Sequence, residues 1–174
     1  MVRSLSFTYL FVILAVGYLG GALLLRELPV ASVEKVLAIY DARIVDGHEV
    51  KFIWPALMTA SFFLLAFVLS LFKKLRFTVI FVGALKCVVF GLSSGYLLAT
   101  DMKILEYTVW WFPFQLVTCL LLLLFCATLT PPFFVRTTGQ KKRNDRALTV
   151  LVGMAVVVTA LEVIMFYFIL NKFN

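Results

Sequence analysis

Lys86 and Glu162 are the two ionisable residues that fall inside long apolar runs of this 174-residue chain. A charge at membrane depth costs at least ~2.5–3.5 kcal/mol on insertion scales, so such residues face a bundle interior and find partners there. Two kinds of chemistry follow: a structural polar clamp, or an ion or proton path. A path needs a relay of further acids or histidines. The one histidine, His48, lies outside the apolar runs, so the clamp is the favoured reading. If both runs start together on one side, Lys86 stands about nine residues up and Glu162 about fifteen, an offset of roughly 9 Å at 1.5 Å per residue. A direct pair is therefore possible but needs tilt or an intervening group. Gln115, in another apolar run, is a candidate for a hydrogen bond across helices.

Other chemistry is sparse. Cys87, Cys119 and Cys126 all lie inside apolar runs, with no paired cysteine or histidine to complete a metal set and no external disulfide framework. They read as packing residues. The sequence offers no Ser/His/Asp set, no paired external carboxylates and no phosphate-binding loop. The expectation is a chain with no catalytic, cofactor-binding or metal-ligating residues, and hence not an enzyme.

The elements that must hold these residues are helices in a bilayer. Of the residues, 63% are hydrophobic and 14% charged, with 18 Phe, whereas a soluble domain holds about 45–50% apolar and about 25% charged. A hydrocarbon core about 30 Å thick takes roughly 20 apolar residues per helix. Five stretches qualify: 5–25, 52–72, 77–99, 108–130 and 147–170. None alternates as a barrel strand would. The expected fold is an all-α polytopic membrane bundle of five transmembrane helices with a short external amphipathic helix, all one integral membrane domain. The first stretch is too long for a secretion-signal core and reads as a retained signal-anchor.

Charge sets the orientation. With the N-terminus inside, the inner pieces hold Arg3, Lys73, Lys74, Arg76, Arg136, Lys141, Lys142, Arg143 and Arg146 against the single acid Asp145. The outer pieces hold Arg26, Lys35, Arg43, Lys51, Lys103 and Lys172 against seven acids: Glu27, Glu34, Asp41, Asp46, Glu49, Asp101 and Glu106. This bias favours an inner N-terminus and an outer C-terminus. The net charge of +7 is thus a topology signal, not a nucleic-acid surface. The Arg136–Arg146 loop suits anionic headgroups of membrane lipids or a small partner.

The largest extramembrane piece, Arg26–Lys51, carries the amphipathic segment, over 29–47. Ser32 is a reasonable N-cap and Glu34 falls in the first turn. Val33, Leu37, Tyr40 and Ile44 repeat at helical spacing, and Gly47 is a plausible stop. The segment reads as a helix on the outer surface, its apolar face on lipid or on the ends of the spans. It serves either as a connector or as a docking surface. In the third span Gly83, Cys87, Gly91, Gly95 and Ala99 recur every four residues, and Gly17 with Gly21 does the same in the first. Such stripes let helix backbones approach closely, inside the bundle or against another protein. Trp110 and Trp111 suit the membrane interface. Pro113 fits a first turn, and Pro131-Pro132 ends the fourth helix.

Gly17–Gly21, Lys86-Cys-Val-Val-Phe90-Gly91 with Gly95-Tyr96, and Pro113 with Gln115 together resemble the stage II sporulation protein M family of endospore-forming bacteria. The resemblance runs from about Phe11 to the C-terminus. Cys87 stands where the family often has glycine, and Phe114 separates Pro113 from Gln115. It implies a non-enzymatic scaffold of forespore engulfment in the bacterial cytoplasmic membrane. Its partners would be the stage II sporulation proteins D and P, which remodel peptidoglycan. The alternative from another class is a small transporter or permease subunit, for which Lys86, Glu162 and the glycine-rich span speak. The lack of an internal repeat or a coupling motif speaks against it.

Overall fold

A computed structural model describes residues 2–45, 53–72, 74–75, 77–100, 107–130 and 145–173. Among these the regular structure is helical: α1 (Val2–Glu27), α2 (Val30–Tyr40), α3 (Ile53–Leu71), α4 (Val79–Ala99), α5 (Phe112–Leu129) and α6 (Asp145–Phe173). A 3-10 turn, Ala42–Ile44, follows α2, and a π-helical turn, Tyr107–Trp111, leads into α5. Four segments are long and apolar enough to cross a membrane: Phe7–Glu27, Val79–Ala99, Tyr107–Leu129 and Arg146–Phe166. The chain is a multi-pass membrane protein. The described apolar stretch of α3 is the shorter Ala56–Leu71. Helices are what such sequence must form, because lipid offers no partner to an open backbone amide or carbonyl.

The packing centre is α4. It lies most extensively on α1, then on α5 and α3, and α5 in turn carries α6. A side chain at Gly17 would meet Ala84 and Cys87, one at Gly21 would meet Val88 and Leu92, and one at Gly95 would meet Ala22 and Leu25. Numbers rise together, so α1 and α4 run parallel with their backbones nearly touching. On the other flank Gly83 faces Leu123 and Cys126, while Ser94 bonds to Tyr107. Here numbers run in opposite senses, so α4 and α5 are antiparallel.

The segment expected on the outer surface packs more deeply. Helix α2 begins at Val30, with Pro29 rather than Ser32 in the capping position. Its stripe of Val33, Leu37 and Tyr40, continued by Ile44, is buried. Glu34 accepts a hydrogen bond from Tyr96, near the end of α4, whereas Tyr40 meets Lys86. Those contacts lie ten residues apart on α4, about 15 Å along its axis. Because Lys86 is the eighth residue of a 21-residue span, the last turn of α2 stands at membrane depth. The helix is therefore a re-entrant arm that descends beside α4, with its stripe of Val33, Leu37 and Tyr40 on protein and Val30, Val36 and Ile39 exposed. It ends at Asp41, where the backbone turns extended (φ −153°, ψ 94°). The expected stop at Gly47 lies outside the described residues.

Trp110 and Trp111 are a second correction to the sequence reading. Both are buried, at 4% and 0% exposure, instead of riding at the headgroups. Trp110 packs on Phe166 and Trp111 on Phe90 and Tyr107. Both sit in the π turn that leads into α5. At the other end of α5, Thr130 leaves the helix (ψ 145°), in keeping with the exclusion of helical backbone before proline.

Candidate functional site

The buried charges of the bundle meet in one place. The arm delivers Asp41 and Arg43, α4 delivers Lys86, and α6 delivers Glu162; all four are at most 5% exposed. Two acids and two bases make the group neutral.

Arg43 is its hub. Its Nε donates to Asp41 Oδ1 at 2.8 Å, and its Nη2 donates to Asp41 Oδ2 at 2.7 Å. The same Nη2 donates to Glu162 Oε1 at 2.6 Å. The Arg43 backbone amide adds a bond to Asp41 Oδ1 at 3.1 Å. The fork of the guanidinium is thus filled on one side by a carboxylate two residues away and on the other by one 119 residues away. The plane also lies 5.3 Å from the centres of the Trp110 and Phe166 rings, a favourable cation–π geometry.

Lys86 has no carboxylate partner among the described residues. Its Nζ donates to the Tyr40 hydroxyl and, at 3.4 Å, to Gln115 Oε1. The ammonium sits 4.4 Å from the Tyr40 ring centre and 5.4 Å from that of Phe62. Tyr40 Oη in turn donates to Gln115 Oε1 at 3.0 Å. The amide end of Gln115 donates to Glu162, at 3.3 Å to Oε1 and 3.5 Å to Oε2. Every donor in this chain points from Lys86 toward Glu162, with one amide between the two charges. An amide, with an acceptor at one end and donors at the other, suits that place.

The sequence singled out Lys86, Gln115 and Glu162, and the fold brings the three together without a direct Lys86–Glu162 pair. The ion pair of Glu162 is with Arg43, which the sequence reading placed in the outer connector along with Asp41. A charge in a polar connector carries no visible cost, so nothing local marks these two. The available signal was geometric: the offset between Lys86 and Glu162 left each wanting a further partner. Gly17, Gly21, Gly83 and Gly91 lie at helix contacts, where an added Cβ would overlap Cys87 at 2.7 Å, the Val88 carbonyl, Leu123 at 2.7 Å and the Tyr18 carbonyl, respectively. Gly95 is looser, its nearest neighbour being the Leu25 side-chain end at 3.2 Å.

The cysteines are free and fully buried, and Cys119 Sγ lies 3.9 Å from the Lys86 carbonyl. Among the described residues no group of three or more His, Cys, Asp or Glu is placed to hold a metal. A cavity of about 230 Å³ lies elsewhere, lined by Phe11, Leu14, Ala15, Tyr18, Phe90, Phe112 and Leu116, and includes no member of the charge cluster. What the cluster can do chemically is hold the arm in the bundle. No family model matches this chain, nor does any curated protein or solved structure.

Proposed function

We propose that this chain is a non-enzymatic membrane scaffold that assembles or localises partner proteins. By its sequence resemblance, those partners are the peptidoglycan-remodelling enzymes of sporulation engulfment, proteins D and P of stage II. The observation that carries the scaffold reading is the mutual bonding of the intramembrane charges. Arg43, Asp41, Glu162, Lys86, Tyr40 and Gln115 bond to one another. Charges that serve transport line a water-filled path, whereas these fasten helices. The identity of the partners rests on the resemblance, and fold alone does not supply it.

Five crossings, an inner N-terminus and an outer C-terminus in the bacterial cytoplasmic membrane complete the reading. Helix α3 has 19 residues, about 28 Å of rise, close to the roughly 30 Å of a hydrocarbon core.

A small transporter is the second reading, favoured by the re-entrant arm. An interruption of α-helical backbone beside buried charges, here at Asp41 with the 3-10 turn Ala42–Ile44, is a common way for transporters to build a site. Affinity purification of the tagged protein from membranes of sporulating and vegetative cells separates the two. Recovery of the sporulation D and P proteins from the sporulating sample is expected. A solute or proton flux in reconstituted vesicles, lost in a well-folded Glu162→Leu variant, would replace the scaffold with the transporter.

A further inference from the structure

The cluster holds more cationic capacity than the docked arm uses. Glu162 takes its ion pair from Arg43, which belongs to the arm. Lys86 belongs to the bundle, is 1% exposed, and stands one amide away from the same carboxylate. Arg43 also carries its own counter-ion, because Asp41 fills the other side of its fork. The arm can therefore leave as a neutral Asp41–Arg43 pair. The charges left behind, Lys86 and Glu162, are a neutral pair as well.

We propose that Glu162 is a shared carboxylate that exchanges Arg43 for Lys86 when the arm formed by α2 and the Asp41–Ile44 turn withdraws, so that Glu162 keeps a cationic partner in both states. A withdrawn arm that stranded Glu162 in an apolar bundle would be prohibitively costly; a second cation in waiting removes that barrier. Lysine suits the waiting role: it is a compact charge on a flexible four-carbon stem, with three donors free to turn. In the docked state Lys86 rests on Tyr40 and Gln115. Withdrawal removes Tyr40 and frees a donor at the moment when Glu162 loses Arg43. Gln115 already touches both ends of the new pair.

The withdrawn arm has a place to go. Beyond the buried stripe of Val33, Leu37 and Tyr40, α2 exposes Val30, Val36 and Ile39 and carries Ser32, Glu34 and Lys35, a mixed surface suited to the boundary between headgroups and acyl chains. Docked, that stripe is buried against protein; withdrawn, it meets lipid. The two states bury the same face on different partners. The exchange does not depend on whether the chain scaffolds partners or moves an ion.

Hydrogen exchange by mass spectrometry on the full chain in lipid nanodiscs tests this, reading peptides of the arm (30–45) separately from those of α4 and α5. In Arg43→Met, Asp41 lacks its partner and Lys86 takes over Glu162. Arm protection should fall by a hundredfold or more while α4 and α5 stay protected. In Lys86→Met the fallback cation is gone, so arm opening should slow about tenfold relative to wild type. The double variant leaves Glu162 unpaired in both states and should lose protection in α4 and α5 as well. An arm in Arg43→Met as protected as in wild type would overturn the proposal. So would an arm in Lys86→Met that opens as fast as wild type or faster, or an Arg43→Met bundle as open as that of the double variant.

Discussion

Gln115 is the residue on which the cluster's geometry turns. Its carbonyl oxygen takes bonds from Lys86 and Tyr40, and its amide nitrogen gives bonds to Glu162. A side-chain amide offers an acceptor at one end and donors at the other. Replacement by leucine keeps the volume and removes all of these bonds at once. Lys86, Tyr40 and Glu162 would each lose a buried partner, at about 1–3 kcal/mol per stranded group. Gln115→Leu should therefore lower the detergent melting temperature markedly, with Thr118→Val, one turn away and bonded only to the Phe114 carbonyl, as the mild control. Equal melting of Gln115→Leu and wild type would mean that the amide bridges nothing of consequence. At this scale the sequence was legible where polarity interrupts an apolar run, as at Lys86, Gln115 and Glu162. It placed Tyr40 on the apolar stripe of the amphipathic segment without its polar partners, and it was silent at Asp41 and Arg43, because a polar connector gives no reason to expect burial. Only the tertiary descent of α2 turns those residues inward.

Among the elements, the pairing of α1 with α4 depends on which glycines face inward. Gly20 and Gly21 are neighbours in sequence, but a Cβ at Gly20 meets nothing within 4 Å, whereas one at Gly21 would collide with the Val88 carbonyl oxygen. The collision is with backbone, which cannot rotate away as a side chain can. Gly91 presses on the Tyr18 carbonyl in the same way, while Gly95 meets only the flexible end of Leu25. The order of sensitivity to alanine should be Gly21 and Gly91 first, Gly95 well behind, and Gly20 silent. Overpacking of this kind costs about 1–3 kcal/mol, and more when the backbones must part. Thermal unfolding in one detergent checks the order, and a Gly20→Ala variant as damaged as Gly21→Ala would reverse the assigned face. The four-residue spacing made this stripe visible in the sequence, since positions four apart share a helix face. The partner was not visible, because spacing names a face and not what lies against it. The expected anchors Trp110 and Trp111 show the converse: their amphipathic type suggested the interface, whereas packing on Phe166, Phe90 and Tyr107 buries them.

The course of the whole chain through the membrane follows from one packing relation. Helices α1 and α4 are parallel, so both cross in the same sense, and the chain must return between the end of α1 and the start of α4. The arm descends only to the level of Lys86 and therefore cannot make that return. Helix α3 is the element left to do so, although its described apolar stretch is shorter than those of the other four. With α5 antiparallel to α4, and a final crossing by α6, the proposed course has five crossings, with the termini on opposite sides. The distribution of basic residues then sets which side is which. Burial of Arg43 and Asp41 removes one base and one acid from the outer pieces and leaves the inner excess untouched, so positive-inside still favours the proposed inner N-terminus. All three native cysteines are fully buried, which gives a low background for thiol labelling. Single cysteines at Ser32, exposed at the start of the arm, and at Gln140, in the basic loop before α6, report the two sides. A membrane-impermeant maleimide added to intact cells should label position 32 at once and position 140 only after the membrane is opened. The alternative in which α3 fails to cross would put both positions, two crossings apart, on one face. Labelling of both in intact cells, or of neither, would therefore remove α3 from the set of spans and with it the five-crossing fold.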